Sequence, residues 1–119
     1  YVCVDMPQGF DSSLPPTAAA TADDIAMVRF HGRDPKAWES KAETASERFR
    51  YDYAQEELAE WVPKVRTLAE QASESYALFN NNRDDFAPRS AMILRGLLDE
   101  ARIPAAGGVE PPPQRPTLF

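Results

Sequence analysis

Apolar positions recur along the chain in two rhythms, one of two residues and one of three to four, and their order predicts alternating strands and helices. The opening YVCVDM is rich in β-forming residues and alternates weakly until Pro7, which predicts a strand over 1–6. PQGFDSSLPPTAAATADD, residues 7–24, is dense in proline, serine, aspartate and small residues and reads as a loop. IAMVRFH, residues 25–31, predicts a second strand closed by Gly32. Residues 33–53 are mixed and charged, with Trp38, Phe49, Tyr51 and Tyr53 anchoring a long excursion. Over 55–74, Leu58, Trp61, Val62, Val65, Leu68, Ala69 and Ala72 form one helical stripe, which Pro63 should kink or split. Glu56, Glu57 and Glu60 load its N-terminal end, where the macrodipole favours negative charge. YALFN, residues 76–80, predicts a third strand. A closing helix over about 86–101 carries Ala87, Ala91, Leu94 and Leu98 on one face, with Asp85 placed as its N-cap. From Pro104 onward no apolar period persists, which predicts a mobile, proline-rich tail over 104–119 behind one domain at 1–103.

Strand, excursion, strand, helix, strand, helix is the order of an α/β fold with parallel strands. Sites in that class lie at the C-terminal strand ends. Alternation puts Val28 and Phe30 on one face of the second strand and Arg29 and His31 on the other. In the first strand Val2, Val4 and Met6 oppose Cys3 and Asp5; in the third, Ala77 and Phe79 oppose Tyr76, Leu78 and Asn80. Setting each apolar group against the helices leaves Asp5, Arg29, His31 and Asn80 together on the remaining face.

Composition narrows the class. An apolar fraction of 43% with 27% charged residues is that of a soluble globular chain, and 119 residues suffice for one core. A net charge of −6 disfavours nucleic acid and anionic lipid, and no stretch is long and apolar enough to span a membrane. The single cysteine, Cys3, has no internal partner, which suits a reducing cytosol. The chain opens inside a strand, which predicts that it is the later part of something longer.

The candidate chemistry centres on MVRFHGRD, residues 27–34, where the sole histidine sits between two arginines. His31 with Asp5 reads as an acid–base pair, and Arg29 and Arg33 as holders of negative charge on a substrate. The bland alternative is that Asp5 and Arg29 form a buried ion pair that satisfies itself. The run Asn80, Asn81 and Asn82 offers amides for substrate hydroxyls, or for capping the following helix. A metal site would need more ligands than His31 and Asp5. Neither GxxxxGK[ST] nor GxGxxG is present.

VDMPQGF, VRFHGRD with Trp38 following, RYDYAQEELAEWVPKV, and LFNNN leading into FAPRSA resemble, in this order, the YecE-like family, domain of unknown function 72. The resemblance covers residues 1–101 and implies the C-terminal part of a TIM-like (β/α) barrel, about three parallel strands with covering helices. It places Asp5, Arg29, His31, Gly32, Arg33 and Asn80–Asn82 on signature positions. Asp84–Asp85 and Ser90 stand where the family usually has a glycine and an asparagine. It supplies no reaction. Two functional readings follow: a barrel enzyme or its remnant acting on a small polar or anionic metabolite, and a non-catalytic binding or scaffold domain. Either reading leaves open strand edges, which predict self-association.

Overall fold

The structure is a computed structural model that describes residues 1–39, 50–81 and 83–105. Phe49, Asn82 and the tail beyond Ala105 lie outside the described residues. Three strands, β1 (Val2–Asp5), β2 (Ile25–Phe30) and β3 (Glu74–Phe79), form one parallel sheet in the order β1-β2-β3. Four helices are described: α1 (Pro35–Glu39), α2 (Gln55–Ala59), α3 (Val62–Gln71) and α4 (Phe86–Glu100). The mixed α/β class and the parallel pairing agree with the apolar pattern.

Pro63 splits the long amphipathic segment. It occupies the second position of α3, where a missing N–H breaks no intrahelical bond, and Glu60 and Trp61 form the joint with α2. β3 starts two residues earlier than its apolar run suggests. The N–H groups of Ser73 and Glu74 donate to the Asp23 and Asp24 carbonyls at 3.0 and 2.9 Å, so pairing with β2 ends α3 at Gln71. Asp85 sits at the N-terminal boundary of α4 but makes no side-chain cap bond; it pairs with Arg89 at 3.5 Å. Ser90, Leu94 and Leu98 are the buried residues of α4, whereas Ala91 is exposed.

Register fixes which side chains share a face. Cys3 lies beside Val28 and Ala77, and Asp5 beside Phe30 and Phe79. These residues face the helices, where Val28, Phe30, Leu58, Trp61, Leu68 and Leu94 form the core. Phe30 stacks on Phe79 at 4.5 Å between ring centres and takes Trp61 and Tyr53 edge-on. The opposite, open face carries the rows Val2–Met27–Tyr76 and Val4–Arg29–Leu78, with His31 and Asn80 just beyond the strand ends. The expected facing of β2 and β3 holds. That of β1 does not: Asp5 points to the helices, and Val2 and Val4 to the open face.

Candidate functional site

The β1 reversal follows from where a buried carboxylate finds donors. Asp5 is 2% exposed, and both its oxygens are saturated on the helix side. Oδ1 accepts from Trp61 Nε1 at 2.8 Å and Arg33 Nη2 at 2.8 Å; Oδ2 accepts from the Tyr53 hydroxyl at 2.6 Å and Arg33 Nε at 3.0 Å. The Gly32 N–H in turn donates to the Tyr53 oxygen at 2.8 Å. Burial, then the charge and hydrogen bond of Asp5, push the Tyr53 hydroxyl well above its ordinary range, so it remains a donor. Burial opposes the charge on Arg33, but hydrogen bonds and charge from Asp5 and then Glu60 outweigh it and raise its pKa. Removing one partner from such a buried pair costs about 3–5 kcal/mol.

Two expected roles are corrected here. Asp5 has no oxygen left to orient His31, and the two side chains lie on opposite sheet faces, so the His31–Asp5 acid–base pair is not formed. Arg33 is not a spare cation. Besides Asp5 it meets Glu60 at 3.0 Å and Glu57 at 3.7 Å, three carboxylates around one guanidinium. The ion-pair alternative therefore holds, with Arg33 in place of Arg29 as the partner of Asp5. The pair ties the end of β1 to the turn after β2 and to α2. Tyr53 and Trp61 were legible as apolar anchors but not as donors, because a sequence does not show which aromatic meets a carboxylate. Glu57 and Glu60, three residues apart, share one helical face, and that spacing was the available signal for a shared cation.

What the open face does bring together is Arg29, His31 and Asn80. The Asn80 N–H donates to the Phe30 carbonyl at 2.8 Å, extending the ladder by one residue past β3. This sets the Asn80 amide nitrogen 3.5 Å from His31 Nδ1. The His31 backbone N–H donates to the Asp5 carbonyl at 2.9 Å, which ties residue 31 to the end of β1 while Asn80 reaches its ring. Trp38, in α1, lies with its ring centre 6.2 Å from that of His31, and its indole N–H donates to Ser12 Oγ at 3.2 Å. Partial burial, then the positive charge of Arg29, lower the His31 pKa below the ordinary 6.5, while Asp5 opposes more weakly. The shift favours the neutral imidazole, in which one nitrogen donates and the other accepts. Such an imidazole binds a polar group or exchanges a proton, and the exposed Arg29 on the same face favours negative charge.

The asparagine run divides by strand alternation. Asn80 reaches the open face, whereas Asn81 is buried against the helices. The Asn81 amide donates to the Tyr51 carbonyl at 2.9 Å and to Ser90 Oγ at 3.0 Å, so Asn81 is structural rather than substrate-facing. Asp84 takes a positive φ of 51° at the turn where the resemblance implied a glycine, and Ser90, where it implied an asparagine, accepts from Asn81. A cleft of about 400 Å³ lies over Asp5, Arg33 and Glu60 between Pro7, Pro16 and Pro35. A larger, apolar cleft of about 630 Å³ lies where α3 and α4 diverge over β3. His31 and Asn80 line neither. No group of three His, Cys, Asp or Glu among the described residues is placed to hold a metal, and no described helix is long and apolar enough to cross a membrane.

Comparison with known proteins gives these residues a context. The family model described as "Protein of unknown function DUF72" matches residues 1–116. The UPF0759 protein YunF of Bacillus subtilis (strain 168) is 34% identical over 101 residues, 82% of this chain and 36% of that protein. Among solved structures, a DUF72 family protein from Thermotoga maritima MSB8 aligns with a TM-score of 0.72 at 32% identity. One from Enterococcus faecalis V583 aligns at 0.73 and 30%. Each alignment covers 82% of this chain and 36% of the solved chain, so the chain spans about a third of the length of these relatives. With its ordered motifs, its parallel sheet and this match in hand, the chain belongs to the DUF72 family.

Proposed function

We propose that the C-terminal ends of β2 and β3 form one wall of a binding site for a small polar or anionic molecule, within a TIM-like barrel of which this chain is a part. The observation that carries the reading is the convergence of Arg29, His31 and Asn80 on one sheet face, with the His31 imidazole 3.5 Å from the Asn80 amide. In a parallel α/β sheet that end of the strands is where ligands bind. Arg29 holds the negative charge of the ligand, and Asn80 donates to a hydroxyl or carbonyl. His31 is the acid–base group, oriented by Asn80 in the place first given to Asp5. Small-molecule chemistry in the cytosol accords with the net charge of −6 and the buried lone cysteine. The second reading, binding without turnover, draws on the commitment of Asp5 and Arg33 to each other.

Inorganic phosphate and acetate, titrated into the isotope-labelled chain, test the site by NMR. The expected result is shifts concentrated at Arg29, His31 and Asn80 that are lost in Arg29→Gln. Shifts spread over the surface, or unchanged in Arg29→Gln, would overturn the site. A weak binding site that does no chemistry would give the shifts but no pH-dependent turnover of any phosphate or carboxylate ester tried, and would select the second reading.

A further inference from the structure

Trp38 stands beside His31 and has no part in the binding roles of Arg29, His31 and Asn80. Asp34, just ahead of α1, fixes its approach. The Asp34 carbonyl accepts the Trp38 backbone N–H at 3.2 Å, and its carboxylate accepts that of Lys36 at 3.0 Å. The indole is half-buried, and its N–H is held by Ser12 Oγ at 3.2 Å in the loop after β1. Indole has one polar hydrogen and no acceptor, so with that hydrogen engaged the rest of the ring is apolar surface. Its centre lies 6.2 Å from that of His31, with the two planes inclined at 53°. Three chemistries from three parts of the chain therefore surround the imidazole: the Arg29 cation in β2, the Asn80 amide after β3 and the Trp38 hydrocarbon in α1.

These groups differ in what they can bind. A guanidinium only donates, which suits the oxygens of a carboxylate or phosphate. An amide both donates and accepts, and so does an imidazole in the neutral form that burial and the Arg29 charge favour. The ligand oxygen that also does both is a hydroxyl. An aromatic acid would leave Asn80 and His31 unmatched, and a bare anion would leave the indole surface uncovered. A sugar with an acid group meets all four side chains. We propose that Trp38 is a specificity-determining residue of the site at the ends of β2 and β3, and that the ligand is a sugar bearing one acid group, as a phosphate ester or a carboxylate. The inference rests on the binding site proposed above and goes further in naming the ligand class. Arg29 takes the acid group, His31 and Asn80 pair with hydroxyls, and Trp38 covers the C–H face of the sugar.

NMR titration of the isotope-labelled chain tests this, with glucose 6-phosphate set against inorganic phosphate and glucuronate against acetate. The chain has two tryptophans, and the Trp61 indole N–H, bound to Asp5 on the other sheet face, serves as the internal control for folding. At least one sugar acid should bind about tenfold or more tightly than its bare anion. It should move the Trp38 indole resonance and leave that of Trp61 in place. The pair that shows the gain identifies the acid group as phosphate or carboxylate. Trp38→Leu, with its Trp61 indole resonance unmoved, should erase the gain; if that variant does not fold, the Trp38 indole shift in the unaltered chain decides. Sugar acids that bind no tighter than the bare anions would overturn the ligand class and the role of Trp38 while leaving the anion site standing. The same follows from a gain that leaves the Trp38 indole unmoved or survives in Trp38→Leu. Benzoate binding as tightly as glucuronate would overturn the sugar class in favour of an aromatic acid. No shift at Arg29 with any of these ligands would overturn the site itself, and this inference with it.

Discussion

A single carboxylate decides how the polar residues of this chain are shared between two sheet faces. Alternation alone left two ways to turn β1, and a rule that sends aliphatic residues to the helices chose Val2 and Val4. The structure chose Cys3 and Asp5, because Trp61, Tyr53 and Arg33 together satisfy both oxygens of a side chain that would otherwise be costly to bury. No spacing rule shows that in a sequence, since the three donors come from residues 33, 53 and 61. Arg29, His31 and Asn80, by contrast, were legible, since β2 and β3 alternate cleanly enough to fix their direction. Their electrostatics lead to a pH prediction. The folded pKa of His31 lies below the unfolded value of 6.5. The stability it contributes is thus present above pH 6.5 and is lost as pH falls through the lowered folded value. Arg29→Gln removes a positive charge, so it should raise the His31 pKa toward 6.5 and flatten the stability profile in that window. The imidazole C–H resonances, unique because the chain has one histidine, report this directly. A pKa that stays in place or falls would show that Arg29 does not act on His31.

Elements were readable wherever a local period ran undisturbed, and their ends were not. The helical stripe over 55–74 was visible, and so was Pro63 within it, but the stop at Gln71 comes from pairing with residues 23 and 24, some fifty positions away. The turn after β2 shows the same dependence on distant chain. Gly32 has φ +94°, a backbone setting that L side chains rarely adopt, and a Cβ built there would lie 2.5 Å from Tyr51 Cβ. Its N–H is also held by the Tyr53 hydroxyl, so neither backbone can withdraw without loosening the Asp5 cluster. Gly32→Ala should therefore destabilise the chain by about 1–3 kcal/mol from backbone strain alone. For a domain of this size, each 1 kcal/mol corresponds to roughly 4–8 °C in Tm. A Gly32→Ala variant with unchanged Tm and urea midpoint would mean that the turn relaxes freely and does not brace the site.

At the scale of the whole molecule, the parallel class was legible from element order, but the distribution of stability across the sheet was not, because it depends on what covers each strand. β2 is paired on both sides and contributes Ala26, Val28 and Phe30 to the core, each no more than 2% exposed. β1 has one described partner strand but is sealed by the loop that follows it, with Cys3 to Pro7 buried. β3 has one described partner strand, both faces exposed along most of its length, and an apolar cleft of about 630 Å³ on its helix side. Local opening free energies range from near zero at uncovered elements up to the global value in the core. Hydrogen exchange on the isolated chain should therefore rank the strands: slowest at Val28 and Phe30, intermediate at Val4 and Asp5, and fastest across Tyr76 to Phe79. The difference between β2 and β3 should reach about 1.4 kcal/mol or more, a tenfold ratio in protection. Uniform protection of all three strands would mean that β3 is as well covered as β2 and that exposure along its faces does not set its stability.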